Sequence, residues 1–151
     1  MTRFFFALLV GLLAAPAFAQ VAITEAWVRA TVPMQKATGA FMQLSAKQNR
    51  RLVEAKSVIA AAVEIHEMTM EDNIMRMRAI QSLDLPAGTL IELKPGGYHV
   101  MLIGLKQQVK ERDLVPITLI FEDANNKRES VELNVPARAL NSMPSKDAAH
   151  R

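Results

Sequence analysis

Cysteine is absent from this chain of 151 residues. Its absence excludes disulfides, thiolate zinc cages, and the blue-copper and CuA electron-transfer centres, which need thiolate ligands. Aromatic residues are scarce, at one Trp, one Tyr and six Phe. The basic residues are scattered (Lys47, Arg50, Arg51, Lys56, Arg76, Arg78, Lys106, Lys110) and the formal net charge is only +3. A nucleic-acid surface would need clustered cations interleaved with aromatics, so no nucleic-acid partner is expected. Histidine is limited to His66, His99 and His150. No further His cluster exists to build an oxidase or reductase centre, and no Ser/His/Asp or paired-carboxylate arrangement stands out, so an enzyme is not expected. The chain has no internal repeat and no low-complexity segment.

The long apolar run is confined to the start. Arg3 gives a short positive region, Phe4 to Ala15 is apolar apart from Gly11, and Ala17-Phe18-Ala19 is a small-x-small cleavage site. We expect residues 1–19 to be an export signal peptide cleaved after Ala19, with the protein in the periplasm. The run is short for a transmembrane helix and no stop-transfer pattern follows, so no stable membrane insertion is expected after cleavage. Removing residues 1–19 from the 151 leaves 132, enough for one domain with a real core. The reading is a single domain over residues 20–140 and a flexible polar tail over 141–151.

Short apolar runs at roughly ten-residue spacing predict strands. They cover 23–29, 39–45, 52–57, 60–70, 74–80, 89–93, 99–105, 115–121 and 130–135. Lys47 to Arg51 reads as a polar break, Lys94-Pro95-Gly96-Gly97 as a turn, and Pro136 as the end of the last strand. Three consecutive alanines make 60–67 compatible with a helix as well. The pattern as a whole predicts an antiparallel β-sandwich or barrel.

What the chain does have is methionine, nine residues of it. His66, Met77, His99 and Met101 read as H-x10-M-x21-H-x-M. Thioethers select Cu(I), imidazole suits copper, and neither forms a disulfide in an oxidising compartment. Side chains alternate across a strand, so His66, Met68 and Met70 share one face, as do Met75 and Met77, and His99 and Met101. A hairpin centred between Glu71 and Asp72 would set His66 opposite Met77; a slip of one residue would pair Met68 with Met77 on the same faces. Two pairs from separate strands can then converge on one ion. Met68, Met70 and Met75 are candidate alternates or an apolar collar, whereas Met34, Met42 and Met143 read as core filler or surface residues. Trp27 reads as core, Gly96-Gly97 as the turn that aims His99, and Glu67 and Asp72 as solvated. On these residues alone a Met/His metal site and a methionine-rich core both remain open.

The runs Glu64 to Arg78 (EIHEMTMEDNIMRMR) and Lys94 to Leu105 (KPGGYHVMLIGL) carry the four spaced positions. With Ala26 to Met42 and Val115 to Val135, they closely resemble the periplasmic copper chaperone family known as PCu(A)C. The resemblance implies a cupredoxin-like Greek-key antiparallel β-sandwich binding one Cu(I) per chain through His66, Met77, His99 and Met101. It also implies delivery of copper to the CuA centre, and by extension the CuB centre, of cytochrome c oxidase. The partners would be subunit II and Sco-type proteins, and the chaperone a monomer. General periplasmic copper storage or resistance is the alternative function, since the same ligands serve both. The chain departs from the family at Arg112 and Met34, where a glycine and a small residue are expected, and it lacks a His- and Met-rich tail.

Overall fold

The computed structural model describes residues 20–139. The signal-peptide and tail readings at 1–19 and 141–151, together with Met143 and His150, lie outside the described residues.

The described chain is all-β, in ten strands. They are β1 (Val21–Arg29), β2 (Ala37–Ala46), β3 (Arg50–Lys56), β4 (Ala60–Glu71), β5 (Ile74–Ile80), β6 (Leu83–Leu85), β7 (Leu90–Leu93), β8 (His99–Leu105), β9 (Leu114–Glu122) and β10 (Arg128–Arg138). Their order is β5-β4-β8-β2-β1-β10-β9-β3-β6, with β7 pairing β2. Strand pairing is antiparallel except between β1 and β10, where Val28↔Ala137 and Arg29↔Arg138 run parallel. The inner faces of the two halves share one core. Val28, Ala40, Leu44, Ile65, Val100 and Leu102 come from the first half, and Leu52, Leu85, Ile117, Leu119, Phe121 and Val135 from the second. Each such side chain taken fully out of water contributes about 1.5–3 kcal/mol.

The alternation of the sequence survives in the strands that set one face against the core. In β8, Val100 and Leu102 enter the core while His99, Met101 and Ile103 face the other way. The alanine-rich 60–67 segment is strand, paired to β8 from Ala60↔Leu105 to His66↔His99, so the helical alternative fails. The polar break is shorter than expected, since Arg50 and Arg51 belong to β3. Both have acidic partners, Arg50 with Asp123 and Arg51 with Glu122. β6 escaped the sequence reading because three residues with Asp84 in the middle show no usable period. Pro136 does not end β10. The β9 pairing stops at Pro136↔Leu114, and the strand changes partner and continues beside β1. A residue without an N–H can stand at such a handover.

Both departures from the family pattern fall on left-handed backbone, Arg112 at φ 72° and Met34 at φ 71°. For a residue with a Cβ this conformation costs about 1–2 kcal/mol. The turn at Arg112 is required, because its N–H donates to the Ala137 carbonyl at 2.9 Å. Arg112→Gly keeps that bond and removes the strain, less the extra unfolded-state freedom of glycine. A net stabilisation of about 0.5–1 kcal/mol is expected, read as a rise in Tm of roughly 2–4 °C. An unchanged or lower Tm would contradict it.

Candidate metal site

The site is built by a hairpin and the strand beside it. Asp72 and Asn73 adopt φ of 50° and 62°, giving a two-residue turn with positive φ at both positions. Such turns match the twist of the flanking strands and fix their register. Here the register is Met70↔Met75, Met68↔Met77 and His66↔Ala79. The hairpin is therefore centred one residue later than the arrangement that sets His66 directly against Met77. The same faces still meet, because the partners on each face shift together. On its other edge β4 pairs with β8, setting His66 opposite His99 and Glu64 opposite Met101. Next along, Gly39 of β2 lies opposite Met101.

His66, His99 and Met77 come together. The imidazole rings have centroids 5.5 Å apart at 64° to each other. His99 Nε2 lies 3.2 Å from Met77 Sδ, and His99 Nδ1 lies 3.2 Å from the Gly97 carbonyl. A carbonyl can only accept, so Nδ1 carries the proton of the neutral ring and Nε2 presents a lone pair to the sulfur. Burial holds the His99 pKa below 6.5, aided by the nearby His66 and Arg29 and opposed by the Gly97 hydrogen bond. The ring is thus neutral at pH 7. Two lone pairs facing each other with no proton between them are what a soft cation would bridge.

His66 is buried and its Nε2 donates to Glu64 Oε2 at 2.7 Å. Its Nδ1 is buried with no hydrogen-bond partner. An orphaned imidazole nitrogen beside a neutral histidine and a thioether fits a copper ligand set. Met101 completes the cleft, of about 320 Å³, whose wall also includes His99, Met77, Met68, Phe41 and Arg29. His66 is absent from the lining of that cleft. Among the described residues no three His, Cys, Asp or Glu side chains are grouped to hold a metal. Any metal held here therefore depends on the methionines, which disfavours zinc or magnesium.

The surroundings match several expectations. Gly96 takes φ 84° and Gly97 closes the turn onto Lys94 at 3.0 Å, aiming His99 as foreseen. Trp27 is buried, its ring 4.6 Å from that of Phe41, which lies 6.2 Å from His99. Gly39 leaves room for this stack, since a Cβ there would stand 2.9 Å from the Phe41 ring. Met42 is core and Met34 is exposed. Glu67, expected to be solvated, is instead paired with Arg78 and largely covered. Sequence reasoning passed over Glu64, Phe41 and Arg29. Glu64 could have been found, since it stands two residues before His66 and so shares its face. Phe41 and Arg29 carry no such local signal, because only the β1–β2–β8 pairing brings them to the site.

Comparison with known proteins gives the family and the fold. A family model described as "Putative lipoprotein LpqE-like" matches residues 21–137. A putative lipoprotein of Leifsonia xyli subsp. xyli, Lxx21020, is 29% identical over 112 residues, covering 74% of this chain and 68% of the relative. The solution structure of CuI-DR1885 from Deinococcus radiodurans is 28% identical with a TM-score of 0.55, covering 86% of this chain and 82% of that one. A copper-bound PCuAC domain from PmoF2 shares the fold at 22% identity and a TM-score of 0.61, covering 80% of this chain and 96% of that one. The fold is thus the cupredoxin-like β-sandwich of the PCuAC domains. The chain belongs to the LpqE-like family, that of the PCu(A)C copper chaperones.

Proposed function

We propose that this protein is an exported metallochaperone that holds one Cu(I) through His66, Met77, His99 and Met101 and delivers it to the CuA centre of cytochrome c oxidase. The supporting observation is the approach of His99 Nε2 to Met77 Sδ at 3.2 Å, with the His99 proton engaged elsewhere. On this reading the signal peptide is removed after Ala19 and the domain acts in the periplasm as a monomer and not as an enzyme. Among the described residues no helix is long and apolar enough to cross a membrane.

Neutral ligands leave the Cu(I) site with a net positive charge, so transfer to a Cys-containing acceptor, which supplies negative charge, is downhill. Arg29, whose guanidinium lies 5.5 Å over the Phe41 ring on the cleft wall, adds to that positive field. The test is an anaerobic Cu(I) titration against a chromogenic chelator, followed by mixing the loaded protein with an apo CuA domain. One tight equivalent and transfer to the acceptor are expected. Tight binding without transfer would favour storage, and no competition with the chelator would remove the copper reading.

Thioether ligation also exposes the site to oxidation. Met77 is 49% exposed, and its sulfoxide would be a polar group and a far poorer soft donor. Peroxide treatment of the apo protein is expected to abolish tight Cu(I) uptake, and methionine sulfoxide reductase to restore it. Uptake that persists with Met77 shown oxidised by peptide mass spectrometry would exclude this residue as a ligand.

A further inference from the structure

The hairpin that supplies Met77 carries more methionine than one copper site uses. Met68↔Met77 and Met70↔Met75 are directly opposed pairs on the face that holds His66. Packing does not account for them. No residue of β5 is buried, and Met70, Met75 and Met77 are 63%, 43% and 49% exposed. Charge is sorted onto the opposite face, where Glu67 pairs with Arg78 and Glu71 with Arg76. A β-hairpin at the edge of a sheet is ordinarily kept soluble by charge on its exposed positions. This one leaves a methionine face open to solvent beside the candidate site.

We propose that Met70 and Met75, with Met68, form a second, weaker Cu(I) site at the tip of the β4–β5 hairpin, through which the ion reaches and leaves the inner site. The inference rests on the Cu(I) reading of the inner site given above. Directly opposed Cβ atoms stand about 4.5–5.5 Å apart, a span that two thioethers can close on one ion. Successive rungs on one face are separated by two residues, roughly 7 Å. Methionine has three rotatable bonds, so an ion held by Met70 and Met75 comes within reach of Met68 and then Met77. Each step exchanges one neutral thioether for another. No electron moves and no proton is released, so the metal stays Cu(I) throughout. The outer pair lacks imidazole and should hold copper only weakly, as a transfer position requires.

The experiment follows methionine methyl groups by NMR in the full exported protein during an anaerobic Cu(I) titration. The parent is compared with Met70→Leu/Met75→Leu, a change of similar volume at exposed positions. In the parent, the first equivalent should shift the Met77 and Met101 methyls, and the second those of Met70 and Met75. The double variant should keep the tight equivalent and the parent's chemical-shift dispersion, lose the second, and release copper to a chelator at least about tenfold more slowly. Met70 and Met75 signals unmoved at two equivalents, or a variant that still takes the second and exchanges at the parent's rate, would overturn the proposal. A parent that takes no tight equivalent, with Met70 and Met75 still shifting, would overturn the inner-site reading and with it the transfer role, leaving the tip pair as a weak Cu(I) site only.

Discussion

Met77→Ala is expected to weaken Cu(I) binding by about 100-fold or more while leaving the fold intact, because loss of an outer partner alone typically costs 10–100-fold and Met77 is read as a direct ligand. The separation of binding from stability comes from where Met77 sits. It lies on a strand with no buried residue and is itself 49% exposed, so truncation opens no core cavity. His99 and His66 are poorer choices for this test, since both are buried and their removal disturbs the β4–β8 seam. Chelator competition gives the affinity and thermal unfolding of the apo protein gives the control. A variant that binds like the parent would reduce Met77 to a surface methionine that happens to approach His99. A variant with a strongly lowered apo Tm would show instead that the hairpin depends on it for packing.

The strand faces that carry the four spaced residues were legible in the sequence because strand alternation is a strict rule; that the four act as one set came from the family resemblance. Ile74–Ile80 and His99–Leu105 were bounded correctly for the same reason. The register of the hairpin was misjudged. It depends on whether the turn takes Glu71-Asp72 or Asp72-Asn73 as its centre, and only the second offers two residues that tolerate positive φ. The structure uses Asp72 and Asn73. The slip did little harm, because the methionines repeat every second residue on both strands and the same face meets in either register. The parallel pairing of β1 with β10 was invisible, since the two strands are at opposite ends of the described chain and no local pattern announces a parallel contact. That pairing carries Arg138 to the aromatic stack beside His99, where it lies 5.7 Å over Trp27. The electrostatic setting of the site was therefore a tertiary property, while its donor atoms were a local one.

Acidification is the second test, and its sign follows from the neutral state of His99. Its pKa is lowered first by burial, with smaller contributions from His66 and Arg29 and an opposing one from the Gly97 carbonyl. The unfolded chain accepts a proton on this imidazole near pH 6.5, which the folded chain refuses until a lower pH. The folded state of the apo protein is thus fully favoured above about pH 6.5. It loses stability as pH falls from there towards the folded-state pKa, then levels off. Copper binding follows the folded protein. A proton competes with Cu(I) for Nε2 only once the folded ring can be charged, so affinity should hold through pH 6.5 and decline only as the lowered folded-state pKa is approached. An imidazole of ordinary pKa would account for about a 30-fold loss by pH 5, and His99, with its lowered pKa, for less than that. Thioethers do not titrate, so Met77→Ala should shift the whole curve downward without changing its slope, whereas His99→Ala should flatten it. Chelator competition between about pH 8 and pH 5 measures both. Affinity that His99→Ala leaves unchanged across that range would mean that this imidazole is not a ligand, and the 3.2 Å approach of His99 to Met77 would then be a packing contact.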